Sequence, residues 1–299
     1  MVETVGVIDI GTNSTRLLIG RVYSGDRLEV VRTALETTRL GENLAGGRLL
    51  ERAMDRTIKC LQAYRKLLES AGTDEVVVAA TAAVREAGNR ERFLELVKEM
   101  TGLSVRVLSG REEAVYGYLG VVSGLGVDPG ETVVVDVGGG STEFVWTQAG
   151  SPVFRSLPLG AVRMTEQEYT DAQMAAIIGT AAEEAAGLRH GRLVGVGGTV
   201  TTLVAMARQL AVYDPERVHG FRLGREEVDR ILGRIEAVGV EERSRIPGLQ
   251  PERADIIVAG ARIVRLVMRV LDVPEMTVSE ADILHGLALY GRRVSKEKA

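Results

Sequence analysis

Two segments of the chain place an aspartate, a glycine-rich turn and hydroxyl side chains in the same order. They are Asp9-Ile10-Gly11-Thr12-Asn13-Ser14-Thr15 and Asp136-Val137-Gly138-Gly139-Gly140-Ser141-Thr142, and each follows an apolar run. Glycine lets the backbone approach a ligand closely, and successive N–H groups in such a turn form a concavity that binds anions. Serine and threonine hydroxyls add donors, and the aspartate can hold a hydrated Mg2+ that bridges phosphate oxygens. The pattern predicts two phosphate-binding loops with Mg2+ as the cofactor.

A third glycine-rich turn, Gly195-Val196-Gly197-Gly198-Thr199, joins an apolar run to a helical pattern. Such a turn points N–H groups and the helix dipole at an anion, but a close helix–strand crossing also needs glycine. Both interpretations stay open for this turn. No Gly-Lys-Ser/Thr follows it, so it is not a Walker A loop. For the repeated pattern, two plain hairpins are the structural alternative, but a hairpin turn needs only two special residues.

Acidic and basic side chains follow two other predicted strands. Ser109-Gly110-Arg111-Glu112-Glu113-Ala114 opens a helix, where Ser109 can cap and one first-turn glutamate complements the helix dipole. Adjacent helical residues point about 100° apart, so the second glutamate can reach a cleft. Thr81-Ala82-Ala83-Val84-Arg85 also follows a strand end, and we expect Arg85 to face the same opening.

The composition limits the functional classes. The chain has 299 residues, of which 45% are hydrophobic and 26% charged, and a net charge of −4, which argues against a general nucleic-acid binder. No apolar run approaches the roughly 18 residues of a membrane span, and the N-terminus shows no secretory signal. The single cysteine, Cys60, fits a reducing cytoplasm, and no zinc-ligand spacing surrounds the three histidines. We therefore expect a cytoplasmic protein that binds neither membrane nor nucleic acid.

Hydrophobic periodicity predicts an α/β chain with two similar lobes, because the strand–helix order restarts after Asp128-Pro129-Gly130. We expect lobe one at 1–125, rejoined by a closing helix within 281–299, and lobe two at 126–280. Strands are predicted at 5–10, 17–22, 28–38, 76–80, 104–108, 132–137, 143–147, 153–157, 193–196 and 276–279. Helices are predicted at 50–68, 90–100, 112–122, 171–188, 199–210, 225–238, 254–271 and 282–290.

These segments together resemble the exopolyphosphatase and guanosine pentaphosphate phosphohydrolase (Ppx/GppA) family of the sugar kinase, Hsp70 and actin superfamily. The resemblance implies two ribonuclease-H-like lobes with the ligand in the cleft between them. The chain looks like a short form that lacks the C-terminal helical domain of longer members. Its late segment, Ser279–Gly286, departs from the family by carrying His285 where many members have an acid. The resemblance is carried, in order, by Gly6–Leu18, Thr81–Asn89, Leu108–Ala114, Val135–Glu143 and Gly195–Thr199.

The resemblance also implies a role for individual residues. Glu113 matches the catalytic glutamate that orients and deprotonates the attacking water, and Asp136 and Glu143 match the acidic pair that supports the metal. The implied phosphate contacts are Asp9, Gly11, Thr12, Asn13 and Ser14 in the first loop, Gly138, Gly139, Gly140 and Ser141 in the second, Gly197, Gly198 and Thr199 in the third, and Arg85.

The expected reaction is Mg2+-dependent hydrolysis of the terminal phosphoanhydride bond of inorganic polyphosphate or of guanosine pentaphosphate (pppGpp), and the family implies a homodimer. Two alternatives remain. A kinase of the same superfamily would need an acceptor pocket and usually an aspartate as base. A non-catalytic sensor of guanosine polyphosphates would keep the glycine loops and lose the glutamate at position 113.

Overall fold

The computed structural model describes residues 2–24, 27–44, 47–167, 169–185 and 191–296. The chain divides into two compact units, residues 1–123 with 283–299, and residues 124–282. Each unit is built on its own mixed β-sheet, which confirms the predicted α/β class with two lobes. Among the described helices, none combines the length and the apolar character that crossing a bilayer requires.

The first unit contains a five-stranded sheet in the order β3-β2-β1-β4-β5. Strands β1, β2 and β3 are antiparallel neighbours, whereas β4 and β5 continue the sheet from β1 in parallel. Its elements are β1 Glu3–Ile10, β2 Thr15–Tyr23, β3 Arg27–Glu36, α1 Glu51–Ser70, β4 Glu75–Ala80, α2 Ala82–Glu86, α3 Arg90–Thr101, β5 Arg106–Val107, α4 Gly110–Leu125 and α12 Ile283–Lys296.

The second unit repeats this arrangement in a six-stranded sheet with the order β10-β11-β9-β6-β7-β8. Strands β6, β7 and β8 are again antiparallel, and β9 and β11 extend the sheet from β6 in parallel. Its elements are β6 Thr132–Val137, β7 Thr142–Gln148, β8 Ser151–Leu157, α5 Ala161–Glu166, α6 Asp171–Glu184, β9 Arg192–Val196, α7 Gly198–Ala207, α8 Pro215–Val218, β10 Arg222–Gly224, α9 Arg225–Glu236, α10 Val240–Arg243, α11 Ile257–Val270 and β11 Glu275–Val278.

Strand β1 is apolar on both faces because helices cover both sides of the first sheet. Its residues Ile8 and Ile10 pack with α1 and α3, whereas Val5 and Val7 pack with α12. This alternation follows from the two-residue period of a strand. Helix α12 also crosses α4 closely, since a Cβ on Gly286 would lie 1.8 Å from the carbonyl oxygen of Tyr116. Because β1 is packed on both faces, its C-terminal end, where the first glycine-rich turn begins, is held in a fixed position.

The predicted elements are found with small shifts at their ends, and a few elements are new. The predicted strand 28–38 ends at Glu36, and the predicted strand 104–108 pairs only over Arg106–Val107. The predicted helix 171–188 is observed to Glu184, and its last predicted residues fall partly outside the described ranges. Sequence periodicity missed the short helices α2, α5, α8 and α10 and the strand β10. Of these, α5 matters most for the site.

Candidate active site

The first glycine-rich turn, Gly11–Ser14, connects the central strand β1 to β2. It closes on itself, because the N–H of Gly11 donates to the Ser14 carbonyl at 3.0 Å. A Cβ on Gly11 would lie 2.9 Å from that same oxygen, so the turn requires glycine there. Thr12 and Asn13 at its tip are exposed.

A neighbouring stretch, residues 38–41, contacts the carbonyl groups of this turn from one side and is called its backing segment. The Thr12 carbonyl accepts from the N–H of Gly41 at 2.9 Å, and the Asn13 carbonyl accepts from the N–H of Arg39 at 2.8 Å. The peptide bonds here are trans, so each N–H points opposite to the carbonyl of the same peptide unit. The N–H groups of Asn13 and Ser14 therefore point away from the backing segment.

The second turn, Gly138–Ser141, reproduces this geometry between β6 and β7. The N–H of Gly138 donates to the Ser141 carbonyl at 3.0 Å, the same bond that closes the first turn. Here the backing element is α5, whose first N–H groups donate to the carbonyls of Gly138 and Gly139 at 2.9–3.0 Å. The Arg163 side chain donates to the Gly140 carbonyl at 2.8 Å.

The consequence is a row of three N–H groups, from Gly139, Gly140 and Ser141, that point away from α5. Consecutive main-chain donors aimed at one point form an anion-binding nest. Gly160 permits the close backing, because a Cβ there would lie 2.3 Å from the Gly139 carbonyl oxygen. Both predicted phosphate loops thus have the geometry that anion binding requires.

The threonine that ends each repeat has a different role from the one its hydroxyl suggested. Thr15 and Thr142 are both fully buried. Thr15 shares a hydrogen bond of 2.9 Å with the Thr38 hydroxyl, and Thr142 donates to the Leu159 carbonyl at 2.6 Å. The interpretation of these two hydroxyls as ligand donors was therefore wrong. They fasten the backing segment to the hairpin.

Asp9, the aspartate of the first repeat, is bonded to an arginine. Its Oδ2 accepts from Arg16 Nη2 at 2.7 Å and from Arg16 Nε at 3.1 Å, and Asp9 is only 4% exposed. The two residues face each other on β1 and β2, directly across the first loop. In this structure the Asp9 carboxylate, predicted to contact phosphate, is neutralised within the chain.

Asp136, the aspartate of the second repeat, faces an acid instead. Its cross-strand partner on β7 is Glu143, and the partner of Glu143 on β8 is Ser156, whose hydroxyl donates to Glu143 at 2.9 Å. Like charges directly opposite on neighbouring strands destabilise a sheet, and a cation relieves the repulsion. No group of three or more acidic, histidine or cysteine residues that could hold a metal occurs in the described ranges. Mg2+ is commonly held by one or two carboxylates together with water and substrate phosphates, so this pair fits it.

The third turn follows β9 and starts α7. Gly197 has a φ of 87°, and a Cβ there would lie 2.3 Å from Oδ1 of Asp136, so glycine is required on both counts. Gly195 serves packing, since a Cβ there would lie 2.7 Å from the Met276 sulfur. Thr199 is 4% exposed, and its methyl group packs against Gly260 of α11. In the third predicted loop, Gly197 lies next to Asp136 and Gly198 lies at the N-terminus of α7, whereas Thr199 is buried in the core.

Sequence reasoning missed Arg253, whose guanidinium covers the N-terminus of α7. A Cβ on Gly198 would lie 2.3 Å from both terminal nitrogens of Arg253. Nε of Arg253 donates to Gln250 at 2.9 Å, and the residue makes no ion pair within the described ranges. Burial lowers the pKa of this guanidinium, and the positive end of a helix adds further repulsion. A cation placed there favours a bound anion. No local pattern around Arg253 could have shown this, since Gly198 lies far away in sequence.

The two adjacent glutamates at the start of α4 have different environments. Glu112 accepts from the Ser109 N–H at 2.9 Å and from the Ser109 hydroxyl at 2.8 Å, and it pairs with Arg106 at 2.5 Å. Burial alone would raise the pKa of Glu112, but these bonds outweigh it and lower that pKa to about 2. Glu113 instead pairs with Arg85 at 2.8 Å, and its side chain is 35% exposed. The structure confirms a capping role for Glu112 and brings Glu113 and Arg85 together.

The strand order, the duplicated loops and the two-lobed α/β architecture define a class: the actin-like ATPase superfamily of phosphate-binding folds. Within it, the chain belongs to the Ppx/GppA phosphatase family, whose sequence profile matches residues 18–291. The Aquifex aeolicus Ppx/GppA enzyme has a solved structure that is 33% identical, with a TM-score of 0.83 over 97% of this chain and 99% of that one. A solved exopolyphosphatase-like protein is 30% identical, with the same TM-score over 98% of this chain and 99% of its own.

Two relatives differ in how much of their length the chain spans. Exopolyphosphatase 2 of Mycobacterium tuberculosis is 34% identical over 95% of this chain and 97% of its own length. A bifunctional 3-dehydroquinate synthase/phosphatase of Fusobacterium nucleatum is 33% identical over 95% of this chain, which spans only 46% of that protein. The family membership establishes a phosphatase.

Proposed function

We propose that this phosphatase releases the terminal phosphate of inorganic polyphosphate or of pppGpp, giving ppGpp from the latter, in an Mg2+-dependent reaction. The observation that carries the proposal is the duplicated phosphate loop. In both loops the carbonyls are held from behind and the N–H groups face outward. Each loop offers N–H donors for one phosphate group of a polyphosphorylated substrate. The name of the Mycobacterium relative, exopolyphosphatase, supports the same substrate class.

Glu113 is the proposed general base. Its carboxylate takes a proton from water, the water oxygen forms a bond to the terminal phosphorus, and the bond from that phosphorus to the bridging oxygen breaks. The products are orthophosphate and a chain shortened by one unit. Glu112 is excluded from this role because Ser109 and Arg106 occupy its oxygens. Losing a general base typically costs about 100- to 10,000-fold in rate.

Asp136 and Glu143 would hold Mg2+, which when bound neutralises charge on the phosphate oxygens. Ser156 fixes the orientation of Glu143 by its hydrogen bond at 2.9 Å. Gly197 lets the main chain pass close to Asp136. Within the second unit, the N–H groups of the Gly138–Ser141 loop and Arg253 at the start of α7 would stabilise negative charge on phosphate oxygens.

Phosphate release from polyphosphates of several lengths, pppGpp and ATP, with and without Mg2+, tests the proposal. Release from polyphosphate or pppGpp with no acceptor present distinguishes a hydrolase from a kinase and from a sensor. Glu113→Gln should lower the rate of release by about 100- to 10,000-fold while keeping tripolyphosphate binding, and Glu112→Gln is the matched control that should retain most activity. Absence of release from every substrate, or near-normal activity in the Glu113 variant, contradicts the proposal.

A further inference from the structure

One nitrogen of Arg85 donates hydrogen bonds both to the Glu113 carboxylate and to a main-chain carbonyl group. Its Nη1 donates to Glu113 Oε2 at 2.8 Å and to the Leu108 carbonyl oxygen at 2.9 Å. Arg85 lies in the short helix α2, directly after β4, and Leu108 directly follows β5. The guanidinium is therefore held against the ends of two parallel strands of the first sheet, and it holds the glutamate in turn.

The rest of the guanidinium is available for a ligand. An arginine has five N–H donors in a rigid planar fork, of which Nη1 carries two. In the described parts of the chain, neither Nε nor Nη2 of Arg85 has a hydrogen-bond partner. The remaining edge suits a phosphate group, because guanidinium groups bind phosphate through two parallel N–H bonds.

A role in stability alone is a poor explanation for this pair. The side chains of Arg85 and Glu113 are 29% and 35% exposed. Ion pairs with this much solvent contact contribute little to folding stability. Their main physical consequence is orientation, since both partners lose the freedom to rotate.

We propose that Arg85 is a positioning residue for the general base as well as a phosphate contact. Its Nη1 edge orients the Glu113 carboxylate, and its Nη2 and Nε edge binds the phosphate group that the water attacks. One rigid group thus sets the distance between the base and the reacting phosphorus. The inference rests on the proposed function, because it assumes that Glu113 is the base.

A double-mutant cycle tests it, with Arg85→Lys made in the wild-type chain and in Glu113→Gln. Lysine keeps the charge but cannot hold the base and the phosphate in one plane. We expect Arg85→Lys to lower kcat by about 10- to 100-fold, as small misplacements of catalytic groups do. In the Glu113→Gln background the same change should alter kcat less than about threefold, since the base it positions is gone.

The adjacent pair on the same helix is the matched control. Arg106 pairs with Glu112 at 2.5 Å, with side-chain exposures of 30% and 39% that resemble those of the Arg85 pair. Arg106→Lys should leave kcat nearly unchanged. Melting temperatures and tripolyphosphate binding by calorimetry confirm that each variant is folded and binds ligand.

The outcomes separate the inference from the function it rests on. A wild-type chain that releases no phosphate from any substrate refutes the proposed function. An active wild type in which Arg85→Lys raises KM but leaves kcat unchanged makes Arg85 a phosphate contact only, and overturns the inference. An equal loss of kcat in both backgrounds also overturns it, because the effect would then not pass through Glu113.

Discussion

The first hairpins of the two units have similar main-chain hydrogen bonds but differ in the charges of their facing side chains. Each has an aspartate at the end of a buried strand, a loop closed by a hydrogen bond of 3.0 Å, and a buried threonine that fastens the backing segment. Across the loop, Asp9 faces Arg16 while Asp136 faces Glu143. The first aspartate is thus neutralised by a side chain, and the second stands in a pair of like charges.

This difference suggests how a duplicated element acquires two functions. Replacing one cross-strand residue changes the electrostatics of the hairpin without changing its hydrogen bonds. On the proposed function, the first hairpin binds an anion through its N–H groups alone, and the second binds an anion together with Mg2+. On that proposal, the residue that faces the aspartate, Arg16 in one hairpin and Glu143 in the other, determines whether the hairpin favours a metal.

The largest expected effect concerns the two aspartates. Asp136→Asn should raise the Mg2+ concentration for half-maximal phosphate release and lower the rate at saturating substrate by about 100-fold, as removal of transition-state charge stabilisation does. Asp9→Asn, the equivalent change in the other hairpin, should leave the Mg2+ requirement at its wild-type value. A Mg2+ titration with each variant measures both. An equal shift for Asp9→Asn would remove the proposed difference, and an unchanged titration with a lowered melting temperature would make Asp136 a turn-capping residue.

The next effect concerns stability without metal. Arg16→Met leaves the buried Asp9 without its arginine and should lower the free energy of unfolding by about 2–3 kcal/mol, less than the cost of breaking a fully buried pair. Glu143→Gln removes one of two facing like charges, so without Mg2+ it should leave stability unchanged or slightly higher. Urea denaturation in the presence of a chelator compares the two. Greater destabilisation by Glu143→Gln than by Arg16→Met would reverse the comparison.

The smallest effect should be the same in both hairpins. Thr15→Val and Thr142→Val each remove one buried hydrogen bond to the backing segment and should cost about 1 kcal/mol. Neither should change the Mg2+ requirement. Thr180→Val, on the exposed surface of α6, is the control and should cost less than about 0.5 kcal/mol. If one of the two buried threonines proved dispensable, the hairpins would differ in architecture as well as in charge.

The facing partners of the two aspartates could have been read from the sequence. In a tight hairpin, residues at equal distances from the two ends of the loop lie opposite each other, as Asp9 and Arg16 do around Gly11–Ser14. The repeat itself located both loops correctly, because each follows an apolar strand and each needs glycine at the same position. Applying hairpin register to these loops would also have shown that Asp9 faces an arginine and that Asp136 faces a glutamate.

Other parts of the site had no local signal. The backing helix α5 has only six residues, too few for a hydrophobic period, and its role appears only when it lies against the second loop. Arg253 meets Gly198 through the packing of distant elements, and its short Pro251–Arg253 turn looks like any surface loop in sequence. Long-range contacts of this kind depend on the assembled core, which periodicity does not describe. The homodimer and the roles of the individual site residues stay predictions.

The backed loops have a consequence for the tolerance of this enzyme to mutation. In the proposed function, the groups of both loops that bind phosphate are main-chain N–H groups, which every residue except proline possesses. The first loop supports this expectation, since Thr12 and Asn13 occupy the positions that Gly139 and Gly140 occupy in the second loop, and all four carbonyls accept hydrogen bonds from the segment behind the loop. Saturation mutagenesis should therefore find the tips of these loops permissive to small side chains and intolerant of proline. Most of the sequence information that fixes the shape of each loop therefore lies in the residues behind it, and those residues would be absent from a list of ligand contacts.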